Sequence, residues 1–266
     1  MEKESILKSQ IFEKANNSYY KDILLNTNFL TLSEQDYFYK ALKEESISLL
    51  SEKIFNTPYL LYGGYEEADR KVIFFLPSYI SKNELISNIN EGSYIKCLYI
   101  YPKNIKFSDT FTHRDILGSL MNLGYEKDEF GDILTDGKNS YVFIMDHLIN
   151  KIKDELIKIK HTDVLSKIIT PKECPLRPKF EIVNINISSN RLDVIVAEAF
   201  NISRSKAQEL IVNECVFING EIKTSNSFSL INNSRVSVKG KGKFIFLEEI
   251  KETRKGRLVA NIKKYI

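Results

Sequence analysis

The spacing of apolar residues divides the chain into helical and strand-like stretches. Residues 5–55 and the segment HLINKIKDELIKI (147–159) carry apolar side chains at helical intervals. Short unbroken apolar runs at 72–77 and 95–102 are typical of buried strands. The pattern therefore predicts an α+β protein with several domains.

The middle of the chain carries the clearest local signals. In THRDILGSLMNLG (112–124), Thr112 is expected to cap a helix, Asp115 to complete a capping box and Gly124 to end the helix. The stretch GDILTDGKNSYVFIMD (131–146) predicts a hairpin around an Asp-Gly turn. Together these elements predict a plait-like, split βαβ domain. This region lacks the aromatic strand pattern of an RNA-recognition motif, so we expect any RNA contact there to use another surface.

A second group of signals follows in residues 180–220. FEIVNINIS (180–188) alternates like a strand, and Asn190 or Ser189 is expected to cap a helix from Arg191 to Ala199. Ser203 is expected to cap a second helix, and Asn219-Gly220 is a strong signal for a two-residue hairpin. The sequence therefore predicts two short helices followed by a hairpin.

Prolines mark the main domain boundary, since three of the six lie in TPKECPLRP (170–178). The predicted segments are a mostly helical N-terminal region with α/β character (1–70), the plait-like domain (71–165), a proline-rich linker (166–179), the helix–helix–hairpin domain (180–247) and a basic C-terminal tail (248–266).

Composition is that of an ordinary globular protein, with 43% hydrophobic and 27% charged residues. No apolar run approaches the length of a membrane span, and the N-terminus has no signal-peptide core, so we expect a cytoplasmic protein without membrane contact. Three widely spaced cysteines fit neither a disulfide framework nor a zinc site, and Cys97 and Cys215 lie in apolar stretches that predict buried thiols. We expect no metal and no cofactor.

Charge is unevenly distributed, although the net value is only +3. Residues 179–266 hold 15 Lys/Arg against 9 Asp/Glu, whereas residues 1–178 hold 23 against 26. A basic C-terminal part indicates a polyanionic partner.

Basic and hydroxyl residues cluster where the two short helices begin. Helix N-termini present backbone N–H groups and a positive dipole end, which favour phosphate. We expect RNA contacts from Arg191, Ser203, Arg204, Ser205, Lys206 and Gln208, with the lysines Lys239, Lys241 and Lys243 of VSVKGKGKF beside them. Further positive charge is expected from Arg254, Lys255, Arg257, Lys263 and Lys264 in the tail. The alternative is that these charges form a solvated surface.

Signals for catalysis are weak. Arg191-Leu192-Asp193 also occurs in pseudouridine synthases, but the Thr-x-Gly continuation is missing, and Asp193 is expected to pair locally with a basic side chain. The chain has no glycine-rich cofactor loop after a strand, no P-loop and no Gly-x-Ser-x-Gly. We therefore expect that the protein is not an enzyme.

The stretch 190–220 resembles the S-four domain, an RNA-binding module. The matching residues are Arg191-Leu192-Asp193, Ser203-Arg204-Ser205, Ala207, Leu210-Ile211, Val216 and Asn219-Gly220. One departure is that the family usually has glycine where Glu214 stands. We expect Asn213 to adopt the left-handed conformation instead.

The whole chain resembles the YlmH family of bacterial S-four proteins. The resemblance rests on GGYEEADR (63–70), FSDTFTHRDILGSLMNLGYEKDEFGDIL (107–134), NRLDVIVAEAFNISRSKAQELI (190–211), VSVKGKGKF (236–244) and KGRL (255–258). It implies a non-enzymatic protein that binds rRNA of the large ribosomal subunit and peptidyl-tRNA, and that supports alanine tailing of stalled chains in ribosome-associated quality control. We expect a monomer. Two alternatives remain, namely an accessory of an rRNA-modifying enzyme and a protein-interaction factor in cell division.

Overall fold

A computed structural model describes residues 2–252 and 258–266 of the chain. The chain divides into two compact units, Met1–Arg177 and Pro178–Ile266. Both units combine helices with antiparallel sheets, which confirms the predicted α+β class.

The first part of unit one packs two helices against a four-stranded sheet. The helices are α1 (Glu2–Lys21) and α2 (Leu32–Glu44), and the strands are β1 (Leu25–Asn26), β2 (Lys53–Ile54), β3 (Thr57–Tyr62) and β4 (Val72–Phe75), in the order β1-β4-β3-β2. β3 pairs with β4, with Tyr62 opposite Val72. A boundary between residues 70 and 71 would therefore separate two strands of one sheet, which corrects the predicted division at this point.

The second part of unit one is built on a five-stranded sheet. Its helices are α3 (Lys82–Asn90), α4 (His113–Asn122) and α5 (Asp146–Glu155), and its strands are β5 (Ile95–Pro102), β6 (Phe130–Thr135), β7 (Ser140–Met145), β8 (Lys158–Ile159) and β9 (Thr162–Ile169). The strand order is β6-β7-β5-β9-β8. The succession β5-α4-β6-β7-α5-β9, with β5 and β7 in the centre, is that of a split βαβ plait. The predicted plait-like domain is confirmed.

Local sequence signals in this domain have mixed outcomes. The capping box of α4 is confirmed, because the Thr112 hydroxyl accepts from the Asp115 N–H and the Asp115 carboxylate accepts from the Thr112 N–H. The predicted helix 147–159 is too long, since α5 ends at Glu155 and β8 follows. Leu156 and Ile159 are nevertheless buried in the same core. The apolar residues at 156 and 159 therefore continue the helical spacing of α5 in the sequence, although the chain at Lys158–Ile159 is a strand.

The predicted proline-rich linker belongs largely to unit one. β9 continues to Ile169, and a short 3-10 turn follows at Pro171–Glu173. Cys174 is buried in the core of this unit, and the guanidinium of Arg177 lies 4.9 Å from the ring centre of Tyr65. These contacts place the segment up to Arg177 in unit one and correct the prediction of a proline-rich linker over 166–179.

Unit two places two short helices on a six-stranded sheet. The helices are α6 (Leu192–Phe200) and α7 (Arg204–Val212), and the strands are β10 (Phe180–Ile187), β11 (Val216–Ile218), β12 (Glu221–Ile222), β13 (Ser234–Val238), β14 (Gly242–Glu252) and β15 (Leu258–Tyr265). The order is β10-β15-β14-β13-β11-β12. Phe244 and Phe246 are buried in the core beneath the helices, as predicted.

The predicted basic tail is part of this sheet. β15 pairs with β10 from Phe180 opposite Tyr265 to Ile187 opposite Leu258, and its other edge pairs with β14. Its Ala260 and Ile262 are fully buried. Two sheet neighbours and an alternating apolar face therefore make 258–265 a central strand, which corrects the predicted end of the domain at 247. Arg254, Lys255 and Arg257 lie outside the described residues.

Candidate nucleic-acid interface

The two helices and the hairpin form as the sequence predicts. The predicted stripe of α6 (Leu192, Ile195, Val196 and Ala199) is buried, together with Val194 and Ala197. On α7, Ala207 and Ile211 are buried as predicted, whereas Leu210 is only partly buried against the same core. After the helices, Asn219 and Gly220 have φ angles of 50° and 83°, and Ile218 pairs with Glu221 across them. Positive φ at both central residues is typical of the tight two-residue hairpin turn. The helix–helix–hairpin prediction is confirmed.

Asp193, in the first turn of α6, joins basic and polar side chains of both helices. Its side chain is fully buried, and its carboxylate accepts hydrogen bonds from Nε (3.0 Å) and Nη2 (3.2 Å) of Arg191. The same carboxylate accepts from Nε of Arg204 at 2.9 Å and from Nε2 of Gln208 at 2.8 Å. Three predicted contact residues therefore meet at one buried carboxylate, which we call the Asp193 cluster (Arg191, Asp193, Arg204 and Gln208).

The arginines of the Asp193 cluster are oriented but remain accessible. Side-chain exposure is 37% for Arg191 and 51% for Arg204. A guanidinium has five N–H donors in a planar fork, so an arginine held through Nε keeps donors for a phosphate. The buried carboxylate thus fixes two cations at the surface.

Electrostatics keep the centre of the cluster charged. Burial raises the pKa of Asp193, but hydrogen bonds from Arg191, Gln208 and Arg204 together outweigh it and leave the pKa at about 2. The pKa of Arg191 is raised in turn, chiefly by its hydrogen bond to Asp193. The expected local pairing of Asp193 with a basic side chain is confirmed.

The N-terminus of α6 differs from the prediction. Its N-cap is Arg191, without a side-chain cap, and the amide side chain of Asn190 exchanges hydrogen bonds with the backbone of Leu230 instead. The N–H groups of Leu192 and Asp193 donate to the carbonyls of Phe228 (2.8 Å) and Asn226 (3.2 Å). These amides are occupied within the protein, so the first turn of α6 offers its arginine rather than its backbone to a phosphate.

The first turn of α7 carries Ser203, Ser205 and Lys206 at the surface. The predicted cap is confirmed, because the Ser203 hydroxyl accepts from the N–H of Lys206 at 3.2 Å. The Lys206 ammonium lies 2.6 Å from a carboxylate oxygen of Glu209. Both side chains are about half exposed, so we expect this ion pair to exchange readily with a phosphate.

The predicted lysine loop is the turn between β13 and β14. Val238 pairs with Gly242, and the N–H of Lys241 donates to the carbonyl of Val238. Lys239, Lys241 and Lys243 are all exposed, and the ammonium group of Lys243 lies 5.3 Å from the ring centre of Tyr265.

The lysine turn lies nearer the end of α6 than its beginning. Gly242 approaches Phe200, in the last turn of α6, and a Cβ added to this glycine would be 3.7 Å from the ring. The Asp193 cluster instead occupies the first turn of α6, about 10 Å away along the helix axis. The structure therefore separates the lysine turn from the arginines that the sequence analysis placed beside it.

The chain leaves α7 through Glu214, and this corrects the expectation for Asn213. Asn213 has a φ of −82°, and Glu214 adopts the left-handed conformation with a φ of 56°. The N–H groups of Glu214 and Cys215 donate to the carbonyls of Ile211 and Leu210, which is the Schellman pattern of helix ends. Glutamate thus occupies a position that favours glycine.

The plait-like domain carries an aromatic group that was not predicted from the sequence. Tyr99 of β5 and Tyr141 of β7 are paired across the sheet, with ring centres 4.9 Å apart and planes 8° apart. Tyr101 lies 4.9 Å from Tyr99 on the same face. We call these three residues the tyrosine platform. The alternation of tyrosine with apolar residues in CLYIY was the available signal.

No group of three or more metal-binding side chains was found among residues 2–252 and 258–266. Within the same residues, no helix is long and apolar enough to cross a membrane. Cys97 and Cys174 are buried, and Cys215 is half-buried.

Comparison with known protein families gives two matches. The model described as "Putative RNA-binding domain in YlmH" matches residues 95–172, and the model described as "S4 domain" matches residues 190–236. The first range covers the plait, and the second contains the Asp193 cluster.

Individual relatives are more distant. The chain is 26% identical over 185 residues to "Ribosome-associated protein quality control protein P2" of Bacillus subtilis (strain 168), and the match covers 68% of each chain. A solved structure, "Cell division protein ylmH from Streptococcus pneumoniae", is 20% identical with a TM-score of 0.45, covering 63% of this chain and 89% of that one.

Proposed function

Since this chain belongs to the YlmH family of S-four proteins, we propose that it binds the large ribosomal subunit through its S-four domain. The ligand in this proposal is structured RNA, namely rRNA together with peptidyl-tRNA. The protein acts as a cytoplasmic monomer without catalysing a reaction, in the quality control of stalled nascent chains.

The Asp193 cluster is the observation that carries this proposal. It holds two partly exposed arginines, one at the start of each helix, against one buried carboxylate. Oriented guanidinium forks contact phosphate oxygens in pairs, so they fit the backbone of a folded RNA better than freely moving lysines do. In this proposal, Ser203, Ser205 and Lys206 add contacts around these arginines, and the lysine turn contacts the RNA at a separate point of the domain.

The ribosomal part of the proposal is supported by the relative's name, which describes a ribosome-associated quality control protein. One matched family is described as a putative RNA-binding domain, and the other is the S-four domain. A subunit obstructed by peptidyl-tRNA presents both RNA ligands together, and we propose that it is the bound state.

Co-sedimentation with large subunits that carry peptidyl-tRNA tests the proposal. We expect the wild-type chain to sediment with the subunit and Arg191→Ala/Arg204→Ala to stay at the top of the gradient. The matched control Lys43→Ala/Lys53→Ala removes two exposed positive charges of unit one, outside both matched ranges, and is expected to sediment like wild type.

Salt dependence supplies a quantitative check. Each lost phosphate contact reduces the slope of log affinity against log salt by roughly 0.7–0.9, so the double arginine variant should lose about 1.5 from the slope. Sedimentation of the arginine variant at wild-type level and with the wild-type slope would refute the assignment of this site.

A further inference from the structure

The tyrosine platform lies on the face of the five-stranded sheet that α4 and α5 leave open. Leu98 and Ile100 of β5 point into the core beneath these helices, together with Ile116 and Ile149. Successive residues of a strand point to opposite faces. Tyr99 and Tyr101 therefore belong to the other face of β5.

Part of that other face is covered. Cys97 and Phe143 are fully buried there, packed in a core with Tyr65 and Val72 of unit one. Further along the strands, Tyr99 and Tyr101 are half-buried, and Tyr141 is 7% exposed. Tyr141 belongs to that core and Tyr99 packs against it, so the tyrosine platform extends from the internal packing to Tyr101 at the surface.

The neighbouring strand completes the surface. On β9, Lys167 is paired with Tyr99 and Leu165 with Tyr101. Both of these side chains are exposed, Leu165 to 46%. The hydroxyl of Tyr99 donates to Oδ1 of Asn139 at 2.9 Å, which fixes the orientation of the central ring. Lys167 therefore lies beside the oriented ring of Tyr99.

We propose that the tyrosine platform binds single-stranded RNA by stacking its bases, with Lys167 contacting the backbone. Sheets of this βαββαβ type bind single strands through aromatic residues on their two central strands, and β5 and β7 are those strands here. The matched family over 95–172 is described as an RNA-binding domain, but that description assigns no surface. The inference rests on the proposed function only in that RNA is the ligand.

Single-stranded RNA fits this surface better than the alternatives do. Bases of a duplex are stacked on one another and expose only their edges, whereas bases of a single strand can lie on a ring. An added peptide strand would need a free sheet edge, but β5 is bonded on both sides by β7 and β9. The lysine favours an anionic chain.

Fluorescence anisotropy with a short labelled oligouridylate tests the proposal on the full-length chain. The variants are Tyr101→Ala, which removes a ring, and Tyr101→Phe, which keeps it. The matched control is Tyr79→Ala, because Tyr79 is 66% exposed elsewhere in unit one. All of them are measured in the wild-type and the Arg191→Ala/Arg204→Ala backgrounds, and circular dichroism melts verify folding.

We expect Tyr101→Ala to weaken binding about fivefold or more in both backgrounds, since one stacked base contributes roughly that factor at least. Tyr101→Phe and Tyr79→Ala should remain within about twofold of their background, because the stacking surface is kept. Lys167→Ser should weaken binding and reduce its salt dependence.

Two results would overturn the inference. One is that the wild-type chain does not bind the oligouridylate. The tyrosine platform would then bind another kind of partner. The other is binding that is lost in the arginine background and unchanged in folded Tyr101→Ala. In the second case the S-four domain holds the single strand. The proposed function is tested separately, by co-sedimentation of the arginine variant with the large subunit.

Discussion

At the scale of single residues, Asp193 acts as a positioning residue for two arginines. Replacing it with asparagine removes a negative charge, so attraction by net charge alone predicts tighter RNA binding. We expect the opposite for Asp193→Asn, a loss of about tenfold, because the amide cannot hold Arg191 and Arg204 in their charge-assisted hydrogen bonds. Filter binding with large-subunit rRNA measures the effect.

The matched control for this prediction is Asp154→Asn, which makes the same change in charge at an exposed position of α5. It should leave the affinity unchanged or slightly increased. An equal gain in affinity in both variants would show that charge, and not orientation, governs the contact.

Asp193 also predicts a pH dependence of stability. Its pKa is lowered to about 2 in the folded chain, so its contribution is present above the unfolded value near 4 and is lost as the pH falls toward 2. We expect Asp193→Asn to reduce the free energy of unfolding by about 2 kcal/mol at pH 7 and by about half of that at pH 3. Urea denaturation of both proteins at each pH measures the difference. A constant difference would contradict the prediction.

Residue roles were predictable only where the partners are close in sequence. Asp193 follows Arg191 by two positions, so their pairing could be foreseen. Its hydrogen bonds to Arg204 and Gln208 depend on the angle at which α6 packs against α7. A local sequence pattern does not predict that angle. The loss of the free amides at the start of α6 depends in the same way on a distant loop, at Asn226 and Phe228.

At the scale of elements, the end of α7 gives a prediction about conformational strain. Glu214 is exposed and left-handed, a conformation that costs roughly 1–2 kcal/mol for residues with a Cβ. Glu214→Gly removes this cost but adds roughly 0.4–1 kcal/mol of chain entropy to unfolding. We expect a net stabilisation of about 0.5–1 kcal/mol, measured by urea denaturation.

Glu198→Gly is the matched control, since Glu198 is an exposed residue inside α6 with helical geometry. There the same substitution should destabilise the protein by about 1 kcal/mol. Destabilisation of similar size at position 214 would mean that the Glu214 side chain makes a contact that offsets its backbone strain.

Elements were predicted well where their signals are local. The capping box at Thr112 and the Asn219-Gly220 turn each depend on residues within four positions of one another. β8 and β15 were missed because they become strands by pairing with other parts of the chain, which the local sequence does not show. The tyrosines of β5 and β7 were missed for the same reason, since each strand carries only part of the aromatic group.

At the scale of the whole molecule, the two units predict where the chain can be divided. Residues 178–266 have a separate core, so this fragment should fold alone and melt cooperatively. A fragment of residues 178–247 lacks β15 and exposes an edge of both β10 and β14. We expect it to be unfolded, as measured by circular dichroism and amide NMR dispersion. Folding of the shorter fragment would restore the domain boundary suggested by the sequence.

The place of β15 between β10 and β14 also affects how the polypeptide folds while it is being made. β10 emerges first of the strands in unit two, but its partner is separated from it by both helices, the hairpins and the lysine turn. Until that partner arrives, β10 is an unpaired strand edge with apolar side chains, which is the kind of surface that associates with other nascent chains. Contacts so distant in sequence also slow the final step. An interruption of synthesis between α7 and β15 would therefore yield an aggregation-prone intermediate in which α6 and α7 lack β15 and any other strand not yet made.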